Sequence, residues 1–205
     1  MEKKIITISR EYGSGGREIG QMAAKKLGME FYDKELIDAA AKDIGFPSDL
    51  VADREQRLTN SLLYNFAMGT LYGISYPKEP KETDLPLTEQ IFLAQKKAIV
   101  EAAKRGPSVF VGRCADYILK SRPDVLRVFV YADRNVRKRR AVDEYGEIEE
   151  YIDEFMHQTD KRRRIHYENY TNQKWGDRGN YDLMLNSGEL GIERCISIIC
   201  EAVKE

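Results

Sequence analysis

The first hydrophobic run, Ile5-Ile-Thr-Ile8, is β-branched throughout and ends at Ser9, the pattern of a central strand buried on both faces. Glycines follow at 13, 15 and 16, and from Arg17 the apolar positions Ile19, Met22, Ala23 and Leu27 fall at helical spacing, with Gly28 as a helix stop. Met29 to Tyr32 reads as a second strand. Asp33 suits the cap of a helix holding Leu36, Ile37 and Ala40, which Gly45-Phe46-Pro47 ends. A weakly amphipathic helix is expected from Ser48 or Asp49 toward Leu71. Between Gly73 and Pro86 the chain turns rich in Pro, Lys and Glu, which predicts an exposed loop.

The second half repeats the alternation. Thr88, Ile91, Ala94, Gln95, Ala98, Ile99 and Ala102 predict a helix ending at Gly106-Pro107, and Ser108-Val-Phe-Val111 predicts a strand running into Gly112-Arg113. Further strands are expected over 126–131 and 181–186, with a helix from about Asp133 to Glu144, a long polar helix from about Ile148 to Tyr167, and a closing amphipathic helix carrying Ile192, Ile196, Ile199 and Ala202. Strands alternating with helices predict an α/β domain with a parallel sheet covered on both faces.

Composition narrows the picture. The 205 residues suit one domain, and 42% hydrophobic with 33% charged residues is neither a disordered nor a membrane composition. No apolar run approaches the roughly 20 residues of a spanning helix, and the apolar stretch after Lys4 is too short for a signal peptide, so a cytoplasmic protein is expected. Cys114, Cys195 and Cys200 lack metal-ligand spacing and form no disulfide framework. A formal charge of −1 lacks the global basic footprint of a nucleic-acid binder, which leaves two local clusters, Arg134 to Arg140 and Lys161 to Arg164.

The chemistry concentrates first in Ser9-Arg-Glu-Tyr-Gly-Ser-Gly-Gly-Arg-Glu18. Glycines let successive backbone N–H groups converge on an anion, and a helix starting there adds its positive dipole end. The P-loop pattern has glycine, four residues, then Gly-Lys-Ser/Thr. With Gly15 as the last glycine, Gly16 stands where lysine is expected and Arg17 where the hydroxyl is expected. A glycine turn without a ligand is the competing reading; the flanking strand and helix favour phosphate.

The motifs, in order, resemble the cytidylate kinase-like branch of the nucleoside monophosphate kinases. The loop above resembles that branch's variant phosphate loop, Phe31-Tyr-Asp-Lys-Glu-Leu-Ile37 its acceptor-contacting segment, and Val111-Gly-Arg-Cys-Ala115 its Gly-Arg-Asp strand end, with Cys114 in place of the aspartate. Val128 to Asp133 with Arg137 and Arg140 resembles the strand and basic helix leading to a lid, Asp160-Lys-Arg-Arg-Arg164 the lid itself, and Asn180 to Ser187 the final strand and nucleotide-base loop. The resemblance implies a three-layer P-loop NTPase fold, a single domain over 1–205 with a helical acceptor-side insert at 48–105 and a lid at 141–175. It implies ATP and Mg²⁺ as cofactors and a small phosphate acceptor, cytidylate first, with neither nucleic acid nor membrane as partner.

Phosphoryl transfer rests on positioning and positive charge, for which converging arginines are suited. Gly13, Ser14, Gly15, Gly16 and Arg17 are expected at the donor phosphates, Ser187 and Gly188 at the donor's base, and Tyr32, Asp33 and Arg113 at the acceptor. Arg17, Arg137, Arg140, Asp160, Arg163 and Arg164 are the catalytic candidates, and Ser14 is the candidate metal contact beside phosphates and water. Asp33 can equally be a helix cap, Arg113 a surface ion pair, and Asp160 with Arg163 and Arg164 an intrahelical one. Trp175 reads as a loop anchor more readily than a base-stacking ring, and His157 and His166 have no assigned role. Two other functions compete: a nucleotide-binding regulatory module without catalysis, and a kinase of a non-nucleotide small molecule.

Overall fold

The computed structural model describes residues 3–43 and 85–204. Strand β1 (Ile5–Arg10) is buried along all but its last residue because it pairs on both sides, with β3 (Ser108–Val111) and β4 (Val125–Tyr131). Strands β2 (Glu30–Tyr32) and β5 (Leu183–Asn186) complete a five-stranded, all-parallel sheet in the order β2-β3-β1-β4-β5.

The pleat sorts alternate residues into two cores. Ile6, Ile8, Val109, Val111, Leu126, Val128 and Val130 face α1 (Gly16–Leu27), and they also face the C-terminal helix through its Cys195, Ile196 and Ile199. Ile5, Phe110 and Val125 face the other way, onto Ile37 of α2 (Lys34–Asp43) and Ile99, Ala102 and Ala103 of α3 (Leu87–Arg105), and onto α4 (Ala115–Ile118). The result is the predicted three-layer α/β architecture. Gly28 ends α1 in the left-handed region and returns its N–H to Ala24 and Lys25, as a glycine C-cap does.

After β4 come α5 (Arg134–Asp143) and α6 (Ile152–Thr171), and after β5 come α7 (Ser187–Leu190) and α8 (Ile192–Ala202). Helix α6 lies four residues later than the pattern indicates. It buries only Ile152, Met156, Tyr167 and Thr171, so its periodicity is faint, and Asn172 at φ 53° ends it. The last strand starts at Leu183 rather than Tyr181, because Arg178–Asn180 form a 3-10 turn and the Asp182 carboxylate turns back to the Arg127 N–H. The expected helix toward Leu71 and the loop of 73–86 fall almost wholly outside the described residues. Among the described residues no helix is long and apolar enough to cross a membrane.

Candidate active site

A parallel sheet delivers all its strand ends to one edge, and every predicted site segment sits there. The segment between β1 and α1 turns at Gly13 (φ 75°) and Gly15 (φ 74°). Gly13 has a second constraint: a Cβ there would lie 2.6 Å from the Arg137 carbonyl oxygen. Helix α5 holds the loop from below, with Arg137 Nη1 donating to the Tyr12 carbonyl (3.1 Å) and Arg140 Nη1 to that of Gly13 (2.9 Å). Ser187 at the start of α7 donates to the Ser14 carbonyl at 2.6 Å. Asp160 of α6 reaches across and accepts from the Tyr12 N–H and from Arg137 Nη1, both at 2.7 Å, with Arg163 Nη1 3.5 Å away.

The turn after β3 is strained. Gly112, Arg113 and Cys114 have φ of 83°, 53° and 55°, a left-handed run that costs about 1–2 kcal/mol per non-glycine residue. Bonds from the Gly112 N–H to the Ile8 carbonyl and from the Ala115 N–H to the Gly112 carbonyl fix it. The strain turns Arg113 inward, where Nη2 meets the Asp38 carboxylate at 2.7 Å while Gln95 donates to the other Asp38 oxygen. The Cys114 thiol is buried and pushed up in pKa by that burial, with Asp116 adding to it, so it is no nucleophile.

Between these turns and α6 lies a cleft of about 330 Å³. Arg10, Lys34, Arg113, Arg162 and Arg163 contribute five cations to its lining, which among the described residues contains no carboxylate; His166, Tyr167 and Trp175 form its aromatic side. Burial, and then the neighbouring cations of Arg163 and Arg113, push the Arg10 guanidinium well below the ordinary arginine range, opposed from a distance by Asp160 and Asp33. Burial lowers Arg163 too, against Asp160. Arginines do not shed their protons in proteins, so this crowding expresses a demand for anions.

The predicted residues divide. Arg113 and Arg163 line the cleft. Arg137, Arg140 and Asp160 are spent on the loop's backbone, and Ser187 supports the loop from behind, 1% exposed. Gly188 donates its N–H to Asn186 within the α7 cap. Ser14 is fully buried, and its hydroxyl donates to the Glu11 carbonyl at 2.8 Å. Arg17 lies outside the cleft lining: its side chain is 60% exposed and grips Asp33 through Nε (3.0 Å) and Nη2 (2.6 Å). Asp33 is also the cap of α2, accepting from the Leu36 N–H, as the cap reading has it. Tyr32 stacks on Phe110 at 5.1 Å, and Arg164 is exposed on α6 away from the cleft. Of the other cations, Arg162 belongs to the lid cluster, whose inward-facing arginine the sequence leaves open, Lys34 to the acceptor-side segment without being singled out, and Arg10 to the glycine turn without an assigned role. Arg10 does carry a sequence signal, since it occupies the first-glycine position of the loop pattern. Trp175 both lines the cleft and anchors on Phe129, with ring centroids 5.4 Å apart.

Among solved structures, an uncharacterized protein from Eubacterium ventriosum ATCC 27560 superposes with a TM-score of 0.72 at 24% identity, over 98% of each chain. Shikimate kinase from Bacteroides thetaiotaomicron gives a TM-score of 0.50 at 15% identity over 97% of each chain. Shikimate kinase from Acinetobacter baumannii in complex with shikimate gives 0.50 at 13% identity, over 98% of this chain and 93% of that one. At such identities the likeness shows the fold alone, a kinase-like P-loop fold. No significant match is found among curated proteins. The sequence profile of the cytidylate kinase-like family matches residues 5–189, a range that runs from β1 to α7. The chain therefore belongs to the cytidylate kinase-like family.

Proposed function

We propose that the protein transfers the γ-phosphoryl group of ATP to a small acceptor that itself carries phosphate, a nucleoside monophosphate, with cytidylate the first candidate. The observation that carries this is the cleft at the end of β1, whose lining, among the described residues, holds five cations and no carboxylate. Asp38 and Asp160 offset part of this charge through Arg113 and Arg163, and two phosphate-bearing ligands meeting there would balance the rest. Transfer between them needs in-line placement and charge stabilisation, with little covalent help from protein.

In this reading the backbone of Gly13 to Gly16 and the start of α1 hold the donor phosphates. Arg113 takes the acceptor's phosphate, with Tyr32 and Asp33 on the acceptor side. Arg162 and Arg163 cover the transferring group, so that 141–175 serves as the lid and 48–105 as the acceptor side. Arg137, Arg140 and Asp160 hold the loop in shape. Mg²⁺ has no preassembled protein site among the described residues, where no three His, Cys, Asp or Glu residues come together. Ser14, whose hydroxyl oxygen keeps its lone pairs while donating to the Glu11 carbonyl, is the residue that would contact Mg²⁺ beside phosphates and water, and no step is assigned to the metal.

One observation favours a second reading, a nucleotide-binding module without turnover: Gly16 stands at the lysine position. ADP release from Mg-ATP, measured across a panel of nucleoside monophosphates and of non-nucleotide hydroxy acids, separates the readings. Turnover with a nucleoside monophosphate is the expected result. Turnover only with a hydroxy acid, or none above the ATPase background, defeats the proposal.

A further inference from the structure

In the P-loop pattern a glycine opens the loop and a lysine closes it. Here the two have changed places: Arg10 stands at the first-glycine position and Gly16 at the lysine position. The structure brings these residues into contact. A Cβ at Gly16 would lie 2.5 Å from Arg10 Cβ and 3.1 Å from its Cγ. Gly16 is not among the positive-φ glycines, so its backbone admits a side chain, and it is chiefly the Arg10 stem that forbids one. At the other end, a Cβ at Gly112 would collide with Arg10 Nη1. One glycine makes room for the root of the arginine and another for its head.

The guanidinium so held lines the cleft, where Arg113 and Arg163 also present their charge. A guanidinium has five N–H donors, and among the described residues none of those of Arg10 has a hydrogen-bond or ion-pair partner. Arg17, the other substitute for the missing lysine, already has its carboxylate in Asp33.

We propose that Arg10 is the cation of this phosphate loop, delivering to the oxygens of a bound polyphosphate, from the opening position, the charge that lysine delivers from the closing one. Arg10 and a side chain at position 16 are mutually exclusive solutions to one problem. The loop is then a reciprocal exchange of glycine and cation. The inference rests on the donor-site reading above, but only as far as polyphosphate binding, and not on turnover.

The test is calorimetric titration of inorganic tripolyphosphate and of Mg-ATP, at fixed ionic strength, into the wild type and the R10Q, R10G, G16K and R10G/G16K variants, with Tm measured for each. R10Q should bind tripolyphosphate about tenfold or more weaker, as loss of charge-assisted hydrogen bonds implies. G16K should lower Tm, because lysine there meets the Arg10 stem. R10G/G16K should bind about tenfold tighter than R10G, by restoring glycine and lysine to their usual places. Tripolyphosphate affinity in R10Q within about threefold of the wild type, or R10G/G16K binding no tighter than R10G, overturns the proposal. Should the glycine variants fail to fold, R10Q, which keeps the stem between the two glycines, decides alone. Because binding is read, a protein that binds tripolyphosphate through Arg10 yet transfers nothing would refute the kinase reading and leave this one standing.

Discussion

Asp33 shows how one side chain can serve the fold and the site together. Burial alone would raise its pKa, but the Arg17 fork and the Leu36 N–H outweigh burial and hold it below the usual carboxylate range. A carboxylate whose folded pKa lies below the unfolded value of about 3.9 stabilises the fold above that pH and loses the contribution as pH falls through the folded value. The stability gap between the wild type and Asp33→Asn, followed by denaturant unfolding from pH 7 to pH 2.5, should therefore hold steady to about pH 4 and close below it. A gap unchanged at the acid end would show that the pair with Arg17 contributes nothing. The same residue explains part of what was legible in the sequence. A strand end followed by Asp predicts both a cap and a ligand-facing carboxylate, and the structure uses it as a cap and as the Arg17 partner. Arg10 was passed over for a different reason: it lies within the loop segment, but the pattern looks for the loop's cation at the closing position.

At the scale of elements, α6 lines one side of the cleft, and two of its several ties lie well apart along it. Asp160 joins it to the glycine loop, and near its far end Phe92 of α3 stacks on Tyr170 with centroids 4.0 Å apart, while the Tyr170 hydroxyl donates to the Thr88 carbonyl at 3.0 Å. A double-mutant cycle between Phe92→Ala and Tyr170→Ala should give a coupling of about 0.5–1.5 kcal/mol in unfolding free energy, the range of a stacked aromatic pair. Additive effects would show that α3 and α6 are joined by other contacts. Helix α3 was readable because Ile91, Ala94, Gln95, Ala98, Ile99 and Ala102 recur at helical spacing and are all buried. Helix α6 was readable only as a polar helix. Successive residues on a helix point about 100° apart, so the run Arg162-Arg163-Arg164 cannot face one way, and which members turn inward depends on how Asp160 and Tyr167 seat the helix, which sequence alone does not state. Ser187, placed at the donor's base by the family resemblance, also gives its hydroxyl to the Ser14 carbonyl, a loop contact that the motif does not state.

Taken whole, the chain is nearly neutral, at −1, yet the cleft lining gathers five cations. Charge is therefore segregated rather than abundant, and attraction of an anion is local. Screening acts over about 10 Å at 0.1 M salt and shortens as salt rises. Tripolyphosphate affinity should fall several-fold between about 50 and 200 mM salt, while adenosine affinity, if measurable, stays flat. Equal salt slopes for both would mean that the cations are already neutralised by the protein. The overall architecture was the most legible level of all, because a sheet buried on both faces writes unbroken apolar strands and leaves their ends, where chemistry gathers, to glycine, arginine and aspartate. The aromatic side of the cleft brings one last consequence. Trp175 is the only tryptophan of the chain, with one side on the cleft and its ring edge-on to Phe129 of the sheet. The molecule thus carries a single indole at the boundary between its core and its cavity, so that emission excited selectively from that ring, apart from the tyrosines, reports filling of the cleft and melting of the sheet without any label.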